Sequence, residues 1–118
     1  MAVISWTKVA GDDRNFRVIK WSGLNANDVG QGYNIAEYPD ATIQVEGDTL
    51  TSGITIEGSI DPSDSASYRT LSDPQGNALD TITTAKIESV LEHVYWIRPT
   101  AGASVVNATI YLMIGTVR

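Results

Sequence analysis

The sequence contains no cysteine, a single histidine, a single phenylalanine and two methionines. Without cysteine there is no disulfide, no thiolate zinc site, no iron–sulfur cluster and no thiol nucleophile. The histidine, His93, stands beside Val94 and Tyr95 in an apolar stretch. A Ser-His-Asp triad needs an imidazole bonded to both partners, and nothing near His93 proposes one, so a structural histidine is expected. No apolar run approaches the roughly 20 residues of a membrane-spanning helix. The N-terminal "MAVISWTKVAGDD" meets Lys8, Asp12 and Asp13 too early for a signal-peptide core. Synthesis in the cytoplasm with no membrane partner is the expectation. Basic side chains are scarce as well, 8 against 14 acidic ones for a net charge of -6, and no Lys/Arg cluster breaks the pattern. Such a chain gains nothing from displacing counterions on a phosphate backbone, so nucleic acid is not expected as a partner.

What remains describes one folded unit. The 118 residues are the size of one domain, and 42% hydrophobic with 19% charged residues fits a buried core. Period-two alternation recurs along the chain. Ile43 and Val45 share a face in "TIQVE", and Ile54, Ile56 and Ile60 share one in "GITIEGSI". "RNFRVIKW" sets Phe16 and Val18 against Ile19 and Trp21. The longest run, "ASVVNATIYLMIGTV", lines up Val106, Ala108, Ile110, Leu112 and Ile114 on one face and Asn107, Thr109, Tyr111 and Met113 on the other. Its second half is apolar on both sides, as in a central or interface strand. In "VYWIRP", Pro99 is expected to end or edge the strand. Turn signals separate these runs at Gly11-Asp12-Asp13, Gly30-Gln31-Gly32, Pro39-Asp40, Gly47-Asp48, Asp61-Pro62, Asp73-Pro74 and Ala101-Gly102. The pattern predicts an all-β, single-domain antiparallel β-sandwich, jelly-roll-like, over residues 1–118, with 1–9 as an N-terminal arm or edge strand. "TTAKIESVLEHV" is ambiguous: Ile87, Val90, Leu91 and Val94 follow helical spacing, but no capping box precedes them. A helical turn and an irregular strand both fit.

Chemistry-bearing patterns are few. Asp61, Asp64 and Asp73 with Asn77 offer hard oxygens to calcium, yet their spacing matches no EF-hand loop. Aspartate bonding its own backbone in turns is the favoured reading, so no metal and no cofactor are expected. Fourteen acids always contain pairs for glycosidase chemistry, but an aromatic-lined cleft is hard to build at this size. "VGQGY" lacks the lysine and the helix of a phosphate cradle. A noncatalytic protein is expected. Trp6, Trp21 and Trp96 with five tyrosines could stack on a glycan, although Trp21 and Trp96 sit in strand-like runs as core or interface anchors. Asn107-Ala108-Thr109 matches a glycosylation pattern but lies inside the strongest strand. The β-prone N-terminal arm is expected to pair with its own sheet or with a neighbouring subunit.

The order of three turn-and-strand elements resembles the head-decoration (cement) proteins of short-tailed double-stranded DNA phages. Gly58, Ser59 and Asp61 match a "Gly-Ser-x-Asp" turn, Leu71, Asp73 and Gly76 a "Leu-x-Asp-x-x-Gly" turn, and Ile97, Arg98 and Pro99 an "Ile-Arg-Pro" strand. Trp21, Gly23, Leu24 and Asp28 fit the opening of these proteins, and the similarity runs over roughly residues 15 to 114. The resemblance implies a self-associating sandwich, a homodimer or homotrimer. It implies a place on the outer surface of the capsid, where such a protein binds the major capsid protein and clamps neighbouring subunits. The acidic balance agrees with an outer location. On this reading the anchors at the capsid or subunit interface are Ile4 and Trp6 of the arm and Tyr33 or Tyr38 of the long loop "GLNANDVGQGYNIAEYPDA", with Asp64, Tyr68 and Arg69 exposed at the second corner. That loop reads equally as a binding loop or as a plain connection. A tail, neck or baseplate component is the leading alternative, and a carbohydrate-binding module is the alternative from another class.

Overall fold

The computed structural model describes residues 1–11, 15–63 and 67–115, and among them every regular element is a strand. In chain order these are β1 (Val3–Ile4), β2 (Trp6–Ala10), β3 (Phe16–Leu24), β4 (Val29–Gly30), β5 (Tyr33–Asn34), β6 (Asp40–Thr49), β7 (Ile54–Ser59), β8 (Arg69–Thr70), β9 (Lys86–Ser89), β10 (Trp96–Ala101) and β11 (Val106–Gly115). Two sheets pack face to face as a jelly-roll-like β-sandwich. One has six strands in the order β1-β4-β10-β7-β8 with β5 also on β10; the other has five in the order β2-β3-β11-β6-β9. Pairing is antiparallel apart from β1 on β4, which is parallel.

The alternation in the sequence decides which side chains meet between the sheets. Ile19, Trp21, Leu24, Ile43, Val45, Ala108, Ile110, Leu112 and Ile114 come from the five-stranded sheet, facing Ile54, Ile56, Ile97 and Ala101 of the other. Trp21 lies in the middle of this core at 1% exposure, and its indole N–H donates to the Gln31 carbonyl at 2.8 Å. Strand β11 occupies the centre of its sheet, between β3 and β6.

Several local expectations are corrected. Pro99 does not end its strand: it lies inside β10 opposite Ile56. The Ile56 amide and carbonyl bond Leu79 and Leu71, away from β10, so the proline nitrogen faces the other side. There β10 meets β5 at Ile97 and β4 at Thr100, and Pro99 falls between the two short strands, where no amide is asked of it. Gly30 packs flat against the Pro99 ring, leaving no room for a side chain. Gly47-Asp48 is not a turn; β6 runs through it, and the chain reverses at Leu50–Gly53, where the Gly53 amide donates to the Leu50 carbonyl at 2.8 Å. Val106 leaves its face because Asn107 has φ 49°, which breaks the alternation and leaves Val106 exposed. Of the two readings left open after Thr83, the strand is the one that forms, as the edge strand β9. Val90 and Val94 turn inward there while Ile87 and Leu91 stay outside.

The turn aspartates hold backbone. Asp73 is buried in a hairpin closed by the Ser72–Ala78 bridge, and its carboxylate accepts from the Asn77 and Gln75 amides at 2.9 Å each. These bonds, with the Asn77 amide first, hold its pKa below the usual 3.8. Asp28 is held low in the same way by the Asn25 and Ala2 amides. A folded pKa below the unfolded value means stabilisation that is complete above about pH 4 and fades as pH falls through the folded pKa. Asp73→Ala is therefore expected to melt at a lower temperature than the parent at neutral pH. The gap should narrow progressively below about pH 4, as thermal melts over a pH series would show.

Candidate functional site

Burying one side of each strand of the five-stranded sheet turns the other side to solvent. Because Ile19 and Trp21 face inward, Phe16, Val18 and Lys20 face outward; because Ile110, Leu112 and Ile114 face inward, Thr109, Tyr111 and Met113 face outward. The registers place these residues in rows across the strands. One row runs Val18–Met113–Thr42–Ser89, the next Lys20–Tyr111–Gln44–Ile87, and a third Ser22–Thr109–Glu46. The result is an apolar stripe across a sheet face: Met113 is 51% exposed, Ile87 61%, Leu91 57% and Phe16 42%. The face is also hollowed. One depression lies between Phe16, Pro39, Pro74, Leu91 and Met113; a second lies along Val18, Gln44, Ile87 and Tyr111, and the two share Thr42 and Met113. Apolar residues scattered singly on a surface need no explanation, whereas a contiguous, concave group of them marks a docking surface.

The outer face of the six-stranded sheet differs. Its cross-strand pairs are Arg98–Glu57, Thr100–Thr55 and Trp96–Ser59. Arg98 donates to Glu57 at 3.0 Å, and its guanidinium lies over the Tyr68 ring, 3.8 Å from the ring centre. Burial pushes the Tyr68 phenol pKa up. This face carries the Arg98–Glu57–Tyr68 cluster, whereas the other outer face carries the larger exposed apolar side chains.

The residues singled out from the sequence fall into three groups. Ile4 and Trp6 are half-buried on the arm, and Trp6 meets the Tyr33 ring edge-on at 4.7 Å. The arm is not free to reach elsewhere, since β1 pairs with β4 and β2 with β3, tying residues 3–10 to both sheets of its own chain. Tyr33 and Tyr38 are corrected as exposed anchors: they are core residues at 4% and 9% exposure. The long loop that holds them contains β4 and β5, and the Tyr33 hydroxyl accepts from Arg17 at 2.7 Å. At the second corner Arg69 is exposed, Tyr68 is half-covered beneath Arg98, and Asp64 lies outside the described residues. Tyr68 and Ile4 come near the same short segment. The Tyr68 hydroxyl abuts Gly32, and the Ile4 carbonyl accepts from the Gln31 amide at 2.8 Å.

Asp61 also serves its turn, accepting from the Ser63 amide at 3.0 Å, and no cluster of three acidic or histidine side chains occurs among the described residues. His93 Nε2 lies 2.9 Å from the Ala36 carbonyl, tying the loop before β6 to the one before β10.

Neither a protein-family model nor a curated protein matches the sequence. Among solved structures, the SPBc2 prophage-derived protein YomS superposes with a TM-score of 0.64 at 7% identity, over 89% of this chain and 98% of that one. An RmlC-like cupin protein from Desulfovibrio desulfuricans gives 0.49 at 11% identity over 96% and 82% of the two chains. A cupin domain from Bordetella pertussis gives 0.43 at 11% identity over 98% and 96%. At 7% identity the likeness to YomS is one of fold.

Missed in the sequence-based choice of anchors were Phe16, Val18, Ile87, Leu91, Tyr111 and Met113. The available signal was apolarity on the wrong parity: strands whose inward face was already complete carried further large apolar side chains on the outward one.

Proposed function

We infer that the chain is a noncatalytic structural protein of a phage particle, one that binds the outer surface of the capsid and clamps neighbouring subunits against the pressure of packaged DNA. The observation that carries this reading is the apolar, hollowed outer face of the five-stranded sheet, opposite a face that carries the Arg98–Glu57 ion pair. A surface of that kind serves assembly: apolar anchors ringed by polar groups dock against another protein. Three further points support it. The order of turn and strand motifs resembles that of decoration proteins, the fold is shared with a prophage-derived protein, and the net charge of -6 suits a surface away from DNA. Many copies of a modest interface hold a shell when each attached unit bridges two capsid subunits.

Cosedimentation with shells lacking the protein, before and after expansion, tests the reading. Saturable binding to expanded shells with a raised disruption temperature is expected. Met113→Glu should lower occupancy by about tenfold or more, the scale of losing one anchor or the second attachment point. Binding to isolated tails and not to shells would reassign the protein to a tail, neck or baseplate. Failure to bind either would reject the reading.

A further inference from the structure

We propose that the outer face of the six-stranded sheet carries a binding site for a neutral sugar, a cleft between Tyr68 and Trp96 that takes one ring of a glycan. The site lies on the other side of the sandwich from the apolar face, so it adds a second activity and does not depend on the capsid reading. Alternation in β10 turns Ile97 and Ala101 inward and sends Trp96, Arg98 and Thr100 outward. Tyr68 has the same parity as Thr70, which pairs with Glu57, so its ring rises on the same side. A cleft of about 270 Å³ lies between the two aromatic side chains, and Gln31, Gly32 and Ser63 complete its lining. That is smaller than a pocket for a drug-sized ligand.

The lining selects the ligand. Among the described residues no carboxylate, ammonium or guanidinium lines the cleft, so a phosphate or an amine finds no counter-charge there. A sugar ring asks for what is present: aromatic surface for its C–H faces, and the Gln31 amide with the Ser63 and Tyr68 hydroxyls for its own hydroxyls. The walls are also held in place beforehand, which lowers the cost of binding. The Arg98 guanidinium covers the Tyr68 ring 3.8 Å from its centre and is itself fixed by Glu57 at 3.0 Å. The Tyr68 hydroxyl stands against Gly32, where an added Cβ would come within 2.3 Å of it. Trp96 leans on Tyr95, ring centres 5.4 Å apart. Gln31 is pinned through its backbone, its amide donating to Ile4 and its carbonyl accepting from Trp21, both at 2.8 Å, and its side chain stays exposed. The buried indole N–H of Trp96 has no acceptor among the described residues. Such orphans are rare in folded proteins, and this one belongs to the wall of the cleft.

Saturation-transfer difference NMR on the full chain, with glucose, galactose, mannose and N-acetylglucosamine as probes, tests the proposal. Transfer to the ring protons of at least one of them is expected, with a dissociation constant on the order of 1 mM for a ligand with so few contacts. Tyr68→Phe and Gln31→Ala should each weaken binding by about fivefold to tenfold, and Trp96→Ala should abolish the transfer. Gly32→Ala should weaken it too, by displacing the Tyr68 hydroxyl. Gln31 is exposed, so Gln31→Ala keeps the test decisive even if Trp96→Ala disturbs folding. No transfer to any of the four sugars would overturn the proposal, as would binding that Tyr68→Phe and Gln31→Ala leave unchanged. Binding confined to acidic sugars on a glycan array would overturn it as well, because the cleft holds no cation for them. Met113→Glu, on the other outer face, should lower shell occupancy and leave sugar binding unchanged. A chain that binds sugar and no shell would uphold this site and reject the capsid reading, and the converse would overturn this site alone.

Discussion

Trp21→Ala is expected to remove about 3–5 kcal/mol of folding stability, a large part of what a domain of this size possesses. The indole is 1% exposed and sits where the two sheets meet. Truncation therefore opens a cavity bounded by rigid strands that cannot collapse into it. Two further losses follow. The Gln31 carbonyl forfeits the indole N–H that reaches it at 2.8 Å, and Gly30, which packs against both the Trp21 ring and Pro99, loses one of its walls. Trp21→Phe keeps most of the apolar volume and is expected to cost only about 1–2 kcal/mol, chiefly for the lost hydrogen bond. Chemical denaturation reads both results as a fall in the midpoint, with the slope unchanged if the folded state keeps its compactness. Equal costs for the two variants would mean that the hydrogen bond, and not the volume, is what matters.

Gly53→Ala is the second large effect, and its cause is backbone. Gly53 has φ 82°, and it follows Ser52 at φ 66° in the reversal between β6 and β7. A Cβ there would lie 2.5 Å from the Thr81 Cα, 2.7 Å from its carbonyl carbon and 2.9 Å from the Ile82 nitrogen. A side chain can swing aside, but these atoms cannot. They belong to the segment whose Ile82 exchanges hydrogen bonds with Ile54 at 3.0 and 3.1 Å. Overpacking and a left-handed conformation together are expected to cost on the order of 3 kcal/mol. Hydrogen exchange would show the earliest loss of protection at the Ile54 and Ile82 amides. An alanine variant of wild-type stability would mean that the 81–82 segment shifts freely, contrary to its place against the core.

How much could be read beforehand depends on whether a segment has one apolar face or two. Ile19 and Trp21 in β3, Ile43 and Val45 in β6, and Ile54 and Ile56 in β7 follow from the spacing alone, whereas Gly23 at φ 79° shifts the register to bring Leu24 inward and Ile60, beyond the end of β7, turns out to solvent. The arm and the long loop were harder because their partners are distant. Nothing local to Tyr33 or Tyr38 says that β10 will lie beside the loop and draw both rings into the core. An aromatic side chain in a polar, glycine-containing segment looks exposed until the sheet that covers it is known. The exposed apolar face was half legible. Apolarity on both sides of "IYLMI" marked a central or interface strand, and β11 is central with Tyr111 and Met113 outside. Ile87 and Leu91 concealed the rest, because a helix would have used them together with Val90 and Val94, whereas the edge strand sends the two pairs in opposite directions.

The central place of β11 has a consequence for the order of events in the cell. Strands β3 and β6 never touch as neighbours; each is joined to the other only through β11, which lies later in the chain than either and must be in place before the sheet is whole. Until then the sheet exists as two separate edges, and Met113 and Tyr111, at the middle of the apolar face, are not yet in place. Closing contacts over such long stretches of chain is slow. The exposed apolar face is thus completed in the same step that joins the two halves of its sheet.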